Sequence, residues 1–361
     1  MKSLPSAALA MLLAQVLPGQ PVPTLRESQY CPNYPSGRPP LGAPNVTSGD
    51  LRKVVINSPD AVCNDGSPAV MYVRAARGGA TEPDGPVANR WLIHFEGGGS
   101  CSSFEDCGVR WCGLGYYTAE KMSSLPAPDF VSPHGLLSRG ANNPIADRNL
   151  VLLNYCSSDT WQGRKSGTIL TSADDPTKGV SLHFRGATIA AAAIDALERG
   201  VTGLPRLTDA TDVLVSGDSG GAKGARANVD RVAGRLPRAR VRGLFEATLG
   251  IDTNGRSGFP AGDPRDPVYS SKLATFNRVA IGQRDALFDD SCAAAHQGNS
   301  LFLCDDEAFS SRNHITSPFM QVQDIQDPNV QEGFVELGWT AAEFSQRMSD
   351  QVAELATART T

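Results

Sequence analysis

The chain has 361 residues, 40% hydrophobic and 20% charged, with 36 glycines, 25 prolines, 8 cysteines and a formal net charge of -5 at pH 7. This composition supports a packed core, excludes a disordered or collagenous chain, and fits one large α/β domain or two smaller ones. Against 38 acidic residues the 33 basic ones leave no surplus of positive charge for phosphates, so nucleic-acid binding is not expected.

Met1 and Lys2 followed by the apolar run Ala7 to Leu17 resemble a secretory signal, too short to span a bilayer. Residues 1–17 are expected to be a signal peptide, with a buried N-terminal helix as the competing reading. Residues 18–44 read as an extended Pro/Gly-rich leader and residues 45–361 as one α/β domain. No later stretch approaches the length of a membrane span, so an integral membrane protein is not expected. The eight cysteines, beside only 5 histidines, form no paired C-x-x-C set of a zinc site. In a secreted or extracytoplasmic protein their even number points to disulfides. Asn45-Val46-Thr47 is a glycosylation sequon, which matters only in a eukaryotic secretory pathway.

Strands are expected at Arg90 to Phe95, running into Glu96-Gly97-Gly98-Gly99, at Asn149 to Asn154, and at Asp212 to Val215, running into Ser216-Gly217-Asp218-Ser219-Gly220-Gly221. Thr188 to Arg199 places Ile189, Ala193, Ile194 and Leu197 on one helix face, with Gly200 to stop it. Ala222 to Val232 can be helical. Strands follow at Val241 to Phe245 and Pro318 to Val322, and a helix from about Trp339 to Leu355 shares Phe344, Met348, Val352 and Leu355 on one face. Short buried strands alternating with helices predict an α/β fold, a mostly parallel sheet covered on both faces, with a long insertion from Cys101 to Pro144.

Gly217-Asp218-Ser219-Gly220-Gly221 satisfies G-x-S-x-G between a strand and a helix. Such a turn projects the serine hydroxyl, and the next N–H, that of Gly220, can face an oxyanion. A plain Gly-rich turn or phosphate cradle is the alternative, weakened because no Lys-Ser/Thr follows in P-loop spacing. Gly98 and Gly99 sit where the other half of an oxyanion hole belongs. A chymotrypsin-like protease also carries GDSGG, but its chain order is His, Asp, Ser in an all-β fold, whereas His296 follows Ser219 here. A GDSL-type lipase fails because the serine is mid-chain and no Asp-x-x-His appears. The acid is expected beyond strand Pro318 to Val322, at Asp327, with Asp324 in reserve; a turn or helix-capping aspartate is the bland reading of either.

Trp91 to Gly98, Cys101 and Cys107, the block Asn154-Tyr155-Cys156-Ser157-Ser158-Asp159-Thr160-Trp161-Gln162-Gly163, and Gly217 to Gly221 with Asn228 to Val232 resemble the pectinacetylesterase and Notum family of α/β-hydrolase esterases, from about Cys63 to Asp327. The resemblance implies a secreted serine carboxylesterase acting on acylated carbohydrate, lipid or protein, and needing no cofactor or metal. It assigns Ser219 as nucleophile, Asp327 as acid, and the Gly98, Gly99 and Gly220 amides as oxyanion hole. It also suggests disulfides Cys63–Cys156 and Cys292–Cys304. Cys101–Cys107 is the favoured local pair among the rest, with Cys31 and Cys112 left open.

One departure stands out: His94, His134, His183, His296 and His314 all precede Asp327. The family's base lies beyond a further strand after the acid, so the chain is expected to lack that strand and that base. Truncation, an inactive family member that only binds an acylated ligand, and an upstream histidine are the competing accounts. Truncation is preferred, because a missing strand leaves a sheet edge uncovered.

Overall fold

The computed structural model describes residues 22–28, 31–77, 89–250, 273–336 and 340–357. The proposed signal peptide lies outside them.

An eight-stranded sheet forms the centre. Its strands are β1 (Leu51–Val55), β2 (Val70–Arg74), β3 (Arg90–Phe95), β4 (Phe130–Val131), β5 (Asn149–Leu153), β8 (Asp212–Asp218), β9 (Arg240–Glu246) and β10 (Phe319–Val322), in the order β10-β9-β8-β3-β5-β2-β1-β4. From β5 to β10 every pairing is parallel, while β2, β1 and β4 are added antiparallel. A separate hairpin joins β6 (Lys165–Thr171) to β7 (Gly179–Phe184).

The central strands are buried on both faces, which is why β3 and β5 read as continuous apolar runs. Trp91, Ile93 and Phe95 point to one face, where helices α2 (Gly186–Arg199) and α3 (Gly220–Arg235) lay down Ile189, Ala193, Leu197, Ala222, Ala225 and Val229. Leu92, Leu150 and Leu152 point to the other, covered by Ala127, Val131 and Leu136 of the insertion and by Ile145 just after it. The insertion also holds a short helix, α1 (Phe104–Trp111).

Helices α4 (Asp290–Ala295), α5 (Glu307–Asn313), α6 (Pro328–Glu336) and α7 (Ala341–Thr357) follow. The apolar face of α7, with Phe344, Met348 and Leu355, buries against Leu249 and Ala308.

Four disulfides are present: Cys31–Cys112, Cys63–Cys156, Cys101–Cys107 and Cys292–Cys304. The first fastens part of the leader to the end of α1. Leu25 is fully buried against the insertion and the β6–β7 hairpin, and Thr24 bridges Ser181.

Candidate active site

Parallel strands put their C-terminal ends on one side, and the chemistry-bearing loops gather there. Ser219 joins β8 to α3 with φ 50 and ψ -129, a left-handed backbone that costs a non-glycine residue about 1–2 kcal/mol. Its N–H donates to Glu246 O at 2.8 Å, so the turn is closed against β9. The flanking glycines are steric necessities. A Cβ on Gly217 would stand 2.3 Å from Gly221 O, and one on Gly221 would stand 2.1 Å from Phe95 O. The turn after β3 lies alongside: the Cβ position of Gly220 is 3.4 Å from Gly99 O and 3.7 Å from Gly99 N. Gly98, Gly99, Ser219 and Gly220 are therefore brought together.

The Glu96–Gly99 turn is clamped from behind. Gly98 and Gly99 adopt φ 146 and 62. Arg110 of α1 donates to Gly98 O at 2.5 Å, and the Tyr155 hydroxyl donates to Gly99 O at 2.7 Å while accepting the Thr160 N–H at 2.7 Å. Glu96 accepts the Tyr155 N–H at 2.7 Å and pairs with Lys121 at 2.6 Å. With both glycine carbonyls held by these donors, the turn resists a peptide flip. Burial pushes the Tyr155 phenol up, so it remains a donor at neutral pH.

Tyr155 begins the Tyr-Cys-Ser-Ser-Asp-x-Trp-x-Gly block, whose purpose becomes visible here. Ser158, Thr160 and Trp161 all have positive φ. Buried Asp159 holds them, accepting from Ser157 Oγ at 2.7 Å and from the N–H groups of Trp161, Gly163 and Gly186 at 3.0, 3.1 and 2.7 Å. Trp161 then packs edge-to-face on Phe95 and tilted against Tyr155, and donates its indole N–H to Glu96 O at 2.9 Å.

Beneath the elbow, His94 of β3 reaches Ser216 Oγ at 2.8 Å and Asp218 Oδ1 at 3.0 Å, and the Gly97 N–H adds a bond to Asp218 at 3.2 Å. Burial alone would raise the Asp218 carboxyl. His94, Gly97 and Lys121 outweigh it and hold the group below the usual carboxylate range. Sequence reasoning counted His94 among upstream histidines without this role. The signal was the register, since His94 sits opposite Ser216.

One turn further along α3, Lys223 pairs with Glu307 at 2.7 Å and Asp305 at 3.3 Å. Arg226 bonds Ser311 at 2.9 Å and Gln321 at 3.1 Å and lies over the Phe245 ring. These contacts brace α3 against α5 and β10.

Asp327 is buried, five residues beyond β10, at the same end of the sheet as Ser219. Its Oδ1 accepts the Asn329 N–H at 3.0 Å and its Oδ2 accepts from Gln323 at 3.2 Å, the bonding of a residue that caps α6. Asp324 is exposed and closes a turn with the Gln326 N–H. Among the other histidines, His183 accepts the Gly167 N–H, His296 and His314 face each other with ring centroids 5.3 Å apart, and His134 borders a 3-10 turn in the insertion.

The family model described as pectinacetylesterase matches residues 46–309. The chain is 34% identical over 212 residues to the palmitoleoyl-protein carboxylesterase NOTUM of Homo sapiens, covering 56% of this chain and 37% of that protein. It is 32% identical over 258 residues to the enzyme of the same name from Drosophila melanogaster, covering 69% and 34%. A Danio rerio protein named inactive palmitoleoyl-protein carboxylesterase notum1b is 33% identical over 115 residues, covering 31% and 73%. The chain thus spans about a third of the length of the first two relatives.

Proposed function

The chain belongs to the pectinacetylesterase family, and on that premise we propose that it is a serine carboxylesterase hydrolysing acyl esters, acetyl foremost, of carbohydrate, lipid or protein. Ser219 Oγ attacks the ester carbon and forms an acyl-serine, with the alkoxide of each tetrahedral intermediate received by the Gly98, Gly99 and Gly220 N–H groups. Water then releases the acid. Asp327 is assigned the carboxylate that orients an imidazole base. The observation that supports the reading most directly is the left-handed Ser219 on a strand-to-helix turn, closed over a glycine turn whose carbonyls are tied back by Arg110 and Tyr155. An extracytoplasmic location is part of the proposal, supported by four disulfides and no free cysteine. Among the described residues no helix is long and apolar enough to cross a membrane.

A second reading is favoured by one specific observation. Among the described residues, His94, His183, His296 and His314 are each engaged with partners other than Ser219. Without an imidazole base the serine stays protonated and the rate falls by several orders of magnitude. On this reading the protein binds an acylated ligand without turning it over. The two part on p-nitrophenyl acetate and longer p-nitrophenyl esters, together with labelling by a serine-directed fluorophosphonate. The esterase reading expects turnover and labelling, both lost in Ser219→Ala. Hydrolysis untouched by that substitution overturns Ser219 as nucleophile, whereas saturable ligand binding without turnover supports the binder.

A further inference from the structure

Away from Ser219, α4, α5 and the turn between them gather an unusual set of side chains. Cys292 and His296 are four residues apart at the end of α4, and His314 follows α5. Cys292 Sγ and one ring nitrogen from each histidine lie within 4.8 Å of one another. Both imidazoles pack on Phe309, with centroids 5.2 and 5.7 Å from its ring. Cys304 is bonded to Cys292, and both cysteines are buried.

The hydrogen bonding of His314 is that of a ligand held ready. Ser291 Oγ donates to Asp289 Oδ1 at 2.7 Å and lies 3.2 Å from His314 Nδ1. The hydroxyl proton is committed to the carboxylate, so Nδ1 carries the ring proton and donates to Ser291. Nε2 is then the nitrogen with the lone pair, and it is buried with no hydrogen-bond partner among the described residues. A metal-binding histidine is characteristically oriented in this way, by a bond from its other nitrogen toward a carboxylate.

We propose that reducing the Cys292–Cys304 disulfide turns this cluster into a Zn2+ site with Cys292, Cys304, His296 and His314 as its four ligands. A dithiol supplies two electrons and two protons to the Sγ–Sγ bond and is itself oxidised to a disulfide. Zn2+ then displaces the two thiol protons to solvent and takes two thiolates, which balance its charge. Zn–S bonds of about 2.3 Å and Zn–N bonds of about 2.0–2.1 Å put tetrahedral ligands roughly 3.3–3.8 Å apart. The Cys292, His296 and His314 donors, within 4.8 Å of one another, have to draw together by about 1 Å, and Cys304 Sγ starts one bond away from Cys292 Sγ. The two histidines alone offer the oxidised protein half a coordination shell.

Anaerobic Co2+ titration of the full-length protein, reduced with a dithiol and then desalted, tests this directly. The reduced protein is expected to bind one equivalent with the intense visible absorption and thiolate-to-cobalt charge transfer of a tetrahedral site, and Zn2+ should displace it. His296→Ala and His314→Ala should each weaken binding by about a hundredfold or more, and Ser291→Ala by about tenfold. Cys292→Ser/Cys304→Ser keeps the six other thiols and should lose the spectrum. Far-UV and near-UV circular dichroism of each reduced protein checks that α4 and α5 remain in place. An unchanged spectrum in the histidine variants, equal affinity in the oxidised protein, no binding by the reduced one, or loss of tertiary signal on reduction would each overturn the proposal.

Discussion

Helix α3 carries two glycines whose surroundings are opposite, and substituting each by alanine should move stability in opposite directions. Gly234 is exposed, with nothing within 4 Å of a built Cβ. Gly234→Ala recovers backbone entropy worth about 0.5–1 kcal/mol. Gly221 has the same helical gain available, but its Cβ would stand 2.1 Å from Phe95 O and 2.7 Å from Phe95 C, where real Cβ atoms essentially never come under 3.0 Å. The clash is with backbone held in the β3–β8 and β3–β5 ladders, so no side chain can swing aside. Relieving it takes a shift of about 1 Å between α3 and β3, at the upper end of the 1–3 kcal/mol typical of overpacking. After the helical gain, Gly221→Ala should lose about 2 kcal/mol. Urea unfolding followed by tryptophan fluorescence measures both variants, and the rate of fluorophosphonate labelling should fall in Gly221→Ala alone, because the shift moves Gly220 off the glycine turn. A Gly221→Ala protein as stable as the parent, or two variants displaced in the same direction, would refute the close-approach argument.

Other expectations rest on separate contacts. Tyr155→Phe strips Gly99 O and the Thr160 N–H of a buried partner, so urea unfolding should show a loss of about 2–4 kcal/mol and fluorophosphonate labelling should slow. Asp212 starts β8 and faces Arg148, Arg242 and Arg240; burial raises its carboxyl, but the three arginines outweigh this and hold it below the usual carboxylate range. A depressed folded pKa contributes stability above the unfolded value that disappears as pH falls through the folded one. Asp212→Asn should therefore cost about 1–3 kcal/mol at pH 7, discounted for exposed Arg240 and Arg242, and the gap to the parent in thermal unfolding should close in strong acid. Cys31→Ser/Cys112→Ser opens a crosslink across 81 residues. The chain-entropy account gives about 4 kcal/mol for a closed loop of that size, and limited proteolysis should cut first before Cys63.

The elements most legible in the sequence are those that carry the site. Strands β3, β5 and β8 are apolar runs ending in asparagine or glycine, and α2 announces itself by Ile189, Ile194 and Leu197 with Gly200 behind them. Sequence reading overlooked β1, β2 and the β6–β7 hairpin, because strands of only five to seven residues, several of them mixing charged and polar residues with apolar ones, look like any short stretch. It named no element between Asp327 and Trp339, although Asp327-Pro328 places a capping acid before a proline suited to a helix's first position. The elbow and glycine turn were readable because sterics demand glycine in both. The partners behind them were not: Arg110 and Tyr155 reach Gly98 and Gly99 only through tertiary folding. The role of Asp159, four bonds that hold a left-handed loop, likewise depends on residues as distant as Gly186.

The Cys31–Cys112 bond also changes what a processing event would look like. Residues 43–50 are largely exposed and precede β1, so they are open to a protease, yet a cut there would release nothing. The amino-terminal piece would stay joined to α1 through its sulfur, with Leu25 still seated beneath the hairpin. A matured two-piece molecule would migrate as one species until a reductant parted it, and its new amino terminus would be visible only to end-group sequencing.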